Sequence, residues 1–152
     1  MSQIENSDVQ SEQSATPRVE GRSRNARHRP CPVCKLPAPR CGIGRRILHD
    51  LGDAARQQPV DLSVAFSKHR CKHCDRIFNT DLSDLAPPKC QYTCRVQRVA
   101  VQLVLEQRFG FRSASRKLWS DYRVLVPWAT IQNWVEMERR KRRNSEGGHK
   151  LR

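Results

Sequence analysis

Aromatic residues make up only 6% of this 152-residue chain, and hydrophobic residues only 37%. So little apolar material cannot fill a large core, and a small core needs help from a metal, from disulfides or from a partner. There is no long apolar run, which argues against a transmembrane helix. The N-terminus has no positive-then-apolar pattern, so a secretory signal is not expected. Acids are also scarce: 15 Asp and Glu stand against 29 Lys and Arg, for a formal net charge of +14. That excess favours polyanions, with DNA or RNA first and an anionic membrane second.

The charge is unevenly placed. Residues 1–20 carry a net −3, residues 21–46 a net +8 with no acid at all, residues 47–88 a net −1 and residues 89–152 a net +10. Basic segments therefore bracket a nearly neutral middle. Seven cysteines accompany this charge. Without a secretory signal they suggest a reducing compartment, where paired C-x-x-C motifs are more often metal ligands than disulfides.

Two such pairs are present, Cys31-Pro32-Val33-Cys34 and Cys71-Lys72-His73-Cys74. A two-residue gap lets both sulfurs of a pair point at one ion, and two pairs complete a tetrahedral four-sulfur zinc site. The 36 residues between the pairs suit two strands and a loop. The alternative is a redox pair, but that usually opens a helix within a βαβ pattern, which is absent here. Four sulfur ligands leave no open coordination position, so the expected single Zn2+ is structural.

Cys41, Cys90 and Cys94 remain. Cys90 and Cys94 lie one helical turn apart and could build a second site with Cys41 or His49; free thiols are the simpler reading. His73 sits inside a knuckle whose backbone is committed to the turn, and it is not expected to ligate.

The polar composition of residues 1–26 reads as a disordered tail. The run from Arg22 to Arg29 is then either a solvated tether or a phosphate-binding arm. Residues 27–80 form the cysteine-bracketed unit. Ile47, His49 and Leu51 alternate, as do Val60, Leu62, Val64 and Phe66, which predicts half-buried strands. Gly52-Asp53 and Gln58-Pro59 read as turn material, and Ile77-Phe78 as a short third strand. The layout of knuckle, two strands, knuckle and strand is that of a zinc ribbon. Residues 81–92, with Pro87-Pro88, read as a linker.

Residues 93–143 read as three helices. Val96, Val99, Ala100, Leu103 and Val104 recur at helical spacing behind Thr93 as a possible N-cap, and Gly110 ends that helix. A second helix starts at Ser113 and carries Ala114, Leu118, Trp119 and Tyr122. A third starts near Pro127 and buries Ile131, Trp134 and Val135. Its opposite stripe holds Ala129, Gln132, Asn133, Glu136 and Arg140. Amides on such a face can pair bidentately with adenine in a major groove, whereas the bland reading is a solvated polar face. Thr130 is placed to bond a phosphate. Arg139, Arg140, Lys141, Arg142 and Arg143 either form a solvated end that complements the helix dipole or neutralise phosphates, and Arg95, Arg98, Arg112, Arg116 and Lys117 can add to the same footprint. Trp119, Trp128 and Trp134 are expected in the core. Residues 144–152 read as a frayed, disordered tail. No internal repeat is visible.

These motifs, in this order, resemble the N-terminal part of bacterial insertion-sequence transposases of the IS-L-three family. The resemblance runs through Cys-Pro-Val-Cys, Leu48-His49-Asp50-Leu51, His69-Arg70-Cys71-Lys72-His73-Cys74, Phe78 and Thr130-Ile131-Gln132-Asn133-Trp134, and covers residues 31–143. It implies a small α+β fold: a zinc ribbon of about three antiparallel strands, then a three-helix helix-turn-helix unit. By it, Cys31, Cys34, Cys71 and Cys74 match the metal ligands, and Thr130, Gln132 and Asn133 the recognition helix, with Arg139, Arg140, Arg142 and Arg143 added as further DNA contacts. It further implies sequence-specific binding of double-stranded DNA at transposon terminal inverted repeats, in transposition and DNA recombination. A full-length transposase is a possible partner, and the setting is the bacterial cytoplasm, at the nucleoid. Two departures stand out. The DDE catalytic domain of the family does not follow within this sequence, so an enzyme is not expected. The stretch from Tyr122 to Val126 lacks the family's usual glycine.

Two rival functions stay open at this stage. A zinc-ribbon adaptor or regulator would bind RNA or protein instead. A self-sufficient nuclease would need clustered carboxylates holding metal ions, and the aspartates here are scattered.

Overall fold

A long β-hairpin organises the chain, and its sequence pattern explains half of it. The structure, a computed structural model, describes the main chain of residues 16–150 and the side chains of residues 16–146. Five strands come first: β1 (Arg18–Arg24), β2 (His28–Pro30), β3 (Pro37–Asp53), β4 (Gln58–Arg70) and β5 (Ile77–Asn79). Three helices follow: α1 (Cys94–Leu105), α2 (Phe111–Tyr122) and α3 (Trp128–Lys150). The fold is thus small α+β with a mixed sheet. Its chain divides into two compact units.

The first unit comprises Arg18–Asp50 and Val60–Cys94. Its strands lie in the order β1-β4-β3-β2, with β5 also paired to β4. The β1 strand runs parallel to β4, from Arg18 opposite Val60 to Arg24 opposite Phe66. This corrects the expectation of about three antiparallel strands. It also corrects the disordered tail as far as residues 18–24 are concerned; residues 1–15 lie outside the described residues. An edge strand needs only backbone N–H and C=O groups to pair, so a polar segment without apolar alternation can take that place.

The hairpin core is Leu48, Leu62 and Val64, covered by Leu82, Ala86, Leu85 and Phe66. The β4 alternation therefore points as read. The β3 alternation is one residue out of register: Leu48 is fully buried, whereas Ile47 is 53% exposed. A one-residue shift in a strand exchanges its two faces. Here His49 marks the open face, where its Nδ1 lies 2.9 Å from Asp61 Oδ1. The expected turn pairs Gly52-Asp53 and Gln58-Pro59 instead end β3 and begin β4.

Residues 81–92 are not a free linker. Leu82 and Ala86 are buried in the hairpin core. Arg46 donates to the carbonyls of Pro87 and Cys90. The His49 N–H donates to the Gln91 carbonyl at 2.7 Å, and the Thr93 N–H to the His49 carbonyl at 3.0 Å. The Thr93 hydroxyl donates to the buried Asp50 carboxylate at 2.8 Å.

The second unit comprises the hairpin tip, Leu51–Pro59, and the chain from Arg95 onward. Helix α1 buries Val96, Ala100 and Leu103, and α2 buries Ala114 and Leu118. In α3, Ile131, Trp134 and Val135 are buried as their spacing predicts. Helices α2 and α3 pack on each other, with Val124 and Val126 buried between them in sequence. Gly110 does not end α1; it stands as the extended N-cap of α2, which starts at Phe111 rather than Ser113. Gly52 is required by space: a Cβ there would sit 2.6 Å from the Gln58 carbonyl oxygen and closer still to that of Tyr122. Residues 144–150, expected to fray, continue the α3 helix to Lys150. No helix among the described residues is long and apolar enough to cross a membrane.

Candidate metal centre and nucleic-acid interface

Each C-x-x-C pair folds into the same turn. The Cys31 N–H donates to the Leu36 carbonyl and the Lys35 N–H to the Cys31 carbonyl, both at 2.9 Å. At the second pair, the Cys71 N–H donates to the Arg76 carbonyl at 2.9 Å and the Asp75 N–H to the Cys71 carbonyl at 2.8 Å. Lys35 and Asp75 both adopt left-handed backbone, with φ of 61°. The flanking strands pair alike: Pro30 opposite Pro37 in β2–β3, and Arg70 opposite Ile77 in β4–β5. The chain thus holds a structural repeat in which Cys31 corresponds to Cys71. Little beyond the cysteines is shared in sequence, which is why reading the chain alone reveals no repeat.

The two turns bring Cys31, Cys34, Cys71 and Cys74 together, with all four sulfurs within 4.8 Å of one another. Cys31 Sγ and Cys74 Sγ are 3.7 Å apart. Four thiolates at about 2.3 Å from a tetrahedral zinc ion would be about 3.8 Å from one another. A disulfide would need about 2.05 Å, and all seven cysteines are free. These four residues are therefore close enough to bind one metal ion, and their geometry is compatible with a single structural zinc. The turns also tune the sulfurs. The backbone N–H of Cys34 leads the groups that lower the Cys31 thiol from its ordinary 9.0 to about 7, against burial. Cys34 is pushed up to about 12, chiefly by its contact with the Cys74 sulfur and by burial.

Sequence reasoning missed the support beneath this centre. His69 is fully buried. Its Nδ1 lies 3.0 Å from the Ala38 carbonyl oxygen, so Nδ1–H donates there. Its Nε2 lies 2.7 Å from Ser67 Oγ, and its ring stacks on Phe78 at 5.4 Å. His69 thus ties β4 to the start of β3, one strand from each knuckle. A buried imidazole two residues before Cys71 carried no periodic signal that would separate it from a solvated histidine. No second cysteine cluster with Cys41, Cys90 or Cys94 forms among the described residues, and His73 is exposed and outside the metal cluster.

The expected reading face and the arginines beyond it fall along one helix. On α3, Ala129, Asn133, Glu136, Arg139 and Arg140 are exposed, and Thr130 and Gln132 are half-buried at the edge of the same face. Arg142 and Arg143 are exposed further along, and Arg142 is paired with Glu138 at 3.3 Å. None of the three helices carries an acid in its first turn, so none repels an anion there. Between α2 and α3, Arg123 takes the left-handed conformation that closes α2, with φ of 50° and its N–H bonded to the Trp119 carbonyl. The tryptophans divide: Trp134 is buried, but Trp119 and Trp128 are 38% and 42% exposed. Each exposed ring lies under an arginine, Arg123 over Trp119 and Arg112 over Trp128.

No protein family, no curated protein and no solved structure matches this chain.

Proposed function

We propose that this chain is a sequence-specific DNA-binding module, a zinc ribbon followed by a helix-turn-helix, which recognises the terminal inverted repeats of a transposable element. It acts as the recognition part of a transposase. The observation that carries this reading is the open face of α3, where exposed Ala129 and Asn133, edged by half-buried Thr130 and Gln132, lead into exposed Arg139, Arg140 and Arg143. Amides can read base edges, and arginines farther along can neutralise phosphates. The net charge of +14 supports a polyanionic partner. Zn2+ held by Cys31, Cys34, Cys71 and Cys74 supplies folding energy to a ribbon that is poor in apolar residues.

A second reading has its own observation. Val33 and Leu36, at the first knuckle, are 59% and 48% exposed. Apolar residues at such a tip suit a ribbon that docks on protein. Selection of binding sites from random duplexes, with zinc present and then chelated, decides between the two. Enrichment of one zinc-dependent sequence is expected. Failure to enrich any duplex overturns the DNA reading and leaves the protein adaptor.

A further inference from the structure

Arg112 is the second residue of α2, and Trp128 is the first residue of α3. The Arg112 guanidinium carbon lies 5.3 Å from the centroid of the Trp128 ring. A second tie holds the same two helix starts: Ser115 donates its hydroxyl to the Val126 carbonyl at 2.6 Å. Yet Trp128 is 42% exposed, and Arg112 is exposed as well. A ring left this far in water contributes little to a core. What it does is limit the freedom of the cation above it.

The other stacked pair makes a useful contrast. Arg123 lies 5.1 Å over Trp119, but its guanidinium also donates to Gln57 Oε1 at 2.8 Å. That fork is consumed inside the protein. Among the described residues, no hydrogen bond or ion pair holds the Arg112 fork. Arg112 is thus oriented by a ring while its donors stay open. Exposed Ser113, Arg116, Ala129 and Asn133 lie on the same two helices near their starts, and none is acidic.

Phosphate neutralisation requires positive charge, which lysine and arginine both supply, although only arginine offers a planar fork. A planar fork offered at a set angle can bond bidentately to a phosphate or to the O6 and N7 acceptors of guanine; its place at the starts of α2 and α3, on the helices that carry short Ser113 and Ala129, favours the base edge. We infer that Arg112, oriented by Trp128, is a specificity-determining contact to a guanine in the major groove of duplex DNA. This inference rests on the DNA-binding reading above. Trp128 is a positioning residue and need not touch the base.

The test is binding-site selection with the full, zinc-loaded chain and with Arg112→Lys, Arg112→Gln and Trp128→Leu. The wild type should enrich a guanine at one position, and replacing that base should cost roughly 5- to 150-fold in affinity. Arg112→Lys keeps the charge but loses the planar fork, so its preference for that base should fall while other positions and the salt slope stay unchanged. Arg112→Gln should shift the preference there from guanine to adenine, because an amide matches N6 and N7 of adenine. Trp128→Leu should weaken the same preference. Circular dichroism and zinc content, equal to wild type, exclude misfolding as the cause. If Arg112→Lys selects the wild-type site with undiminished preference at every position, the inference is overturned and the DNA reading stands. If the wild type selects no duplex, both fall together.

Discussion

The sulfur of Cys31 lies 3.7 Å from that of Cys74, although 43 positions separate them in the chain. That contact spans the two knuckles and joins the two halves of the structural repeat. Without an ion it would crowd four sulfurs for no gain. With one, it ties β2 and β3 to β4 and β5.

Loss of a ligand should therefore be catastrophic where loss of a bystander is not. Structural zinc contributes an apparent ~10–16 kcal/mol in small domains, comparable with the whole ~5–15 kcal/mol stability of a typical fold. Cys71→Ser should abolish stoichiometric zinc and unfold the first unit. Cys90→Ser should leave about one zinc per chain and a wild-type melting curve. Elemental analysis and circular dichroism distinguish the two, and similar behaviour of both variants would refute the ligand assignment.

Zinc binding should also release protons. Before the ion binds, Cys34 is a neutral thiol at pH 7 either way, pushed up to about 12 where its turn is formed and at the ordinary thiol value of about 8.5 where it is not. Cys31, lowered to about 7, is about half ionised there. Both must be thiolates to bind the ion. Apparent zinc affinity should consequently rise with pH between 6 and 8, as protons cease to compete. Calorimetric titration in buffers of different ionisation enthalpy should count more than one proton released per zinc at pH 7. An affinity that is flat across that range would contradict a thiolate site.

Gly52 sits where β3 passes the end of α2. Gly52→Ala places a methyl group against the carbonyls of Gln58 and Tyr122. Backbone cannot step aside as a flexible side chain can, so a loss of roughly 1–3 kcal/mol is expected. Gly21→Ala is the control, since a Cβ there meets nothing within 4 Å. Chemical denaturation of the two variants measures the difference, and equal stability would show that the hairpin tip yields freely.

On DNA, the two ends of α3 should behave differently. Gln132→Ala should lose about 1–3 kcal/mol on the selected site and little on random duplex. Arg143→Ala should weaken both alike and lower the salt slope by about one. Arg142 is already paired with Glu138, so Arg142→Ala should change the slope less than Arg143→Ala. Fluorescence anisotropy over a range of salt concentrations reads all three. Equal losses on both DNAs for Gln132 and Arg143 would undo the assignment of a reading face.

The cluster of Cys31, Cys34, Cys71 and Cys74 was legible in the sequence because C-x-x-C is a local device. Its two sulfurs converge through one turn, whatever the rest of the chain does. The buried faces of α1, α2 and α3 were legible for a similar reason, since a helix repeats every 3.6 residues and writes its inner face into the order of residues such as Ile131, Trp134 and Val135. What remained hidden depends on pairing between distant segments. The one-residue slip from Ile47 to Leu48 is settled by which face Leu62, Val64 and Leu82 can cover. The parallel pairing of β1 rests on backbone hydrogen bonds that leave no hydropathic trace in Arg18–Arg24. Residues 81–92 looked like a linker because their anchors are two buried side chains and a few carbonyls rather than a periodic stripe. The exposed pairing of Arg112 with Trp128 followed only once α2 and α3 met. Short-range geometry thus specified the centre and the helices, whereas long-range contacts decided the sheet, its open face and the company each exposed arginine keeps.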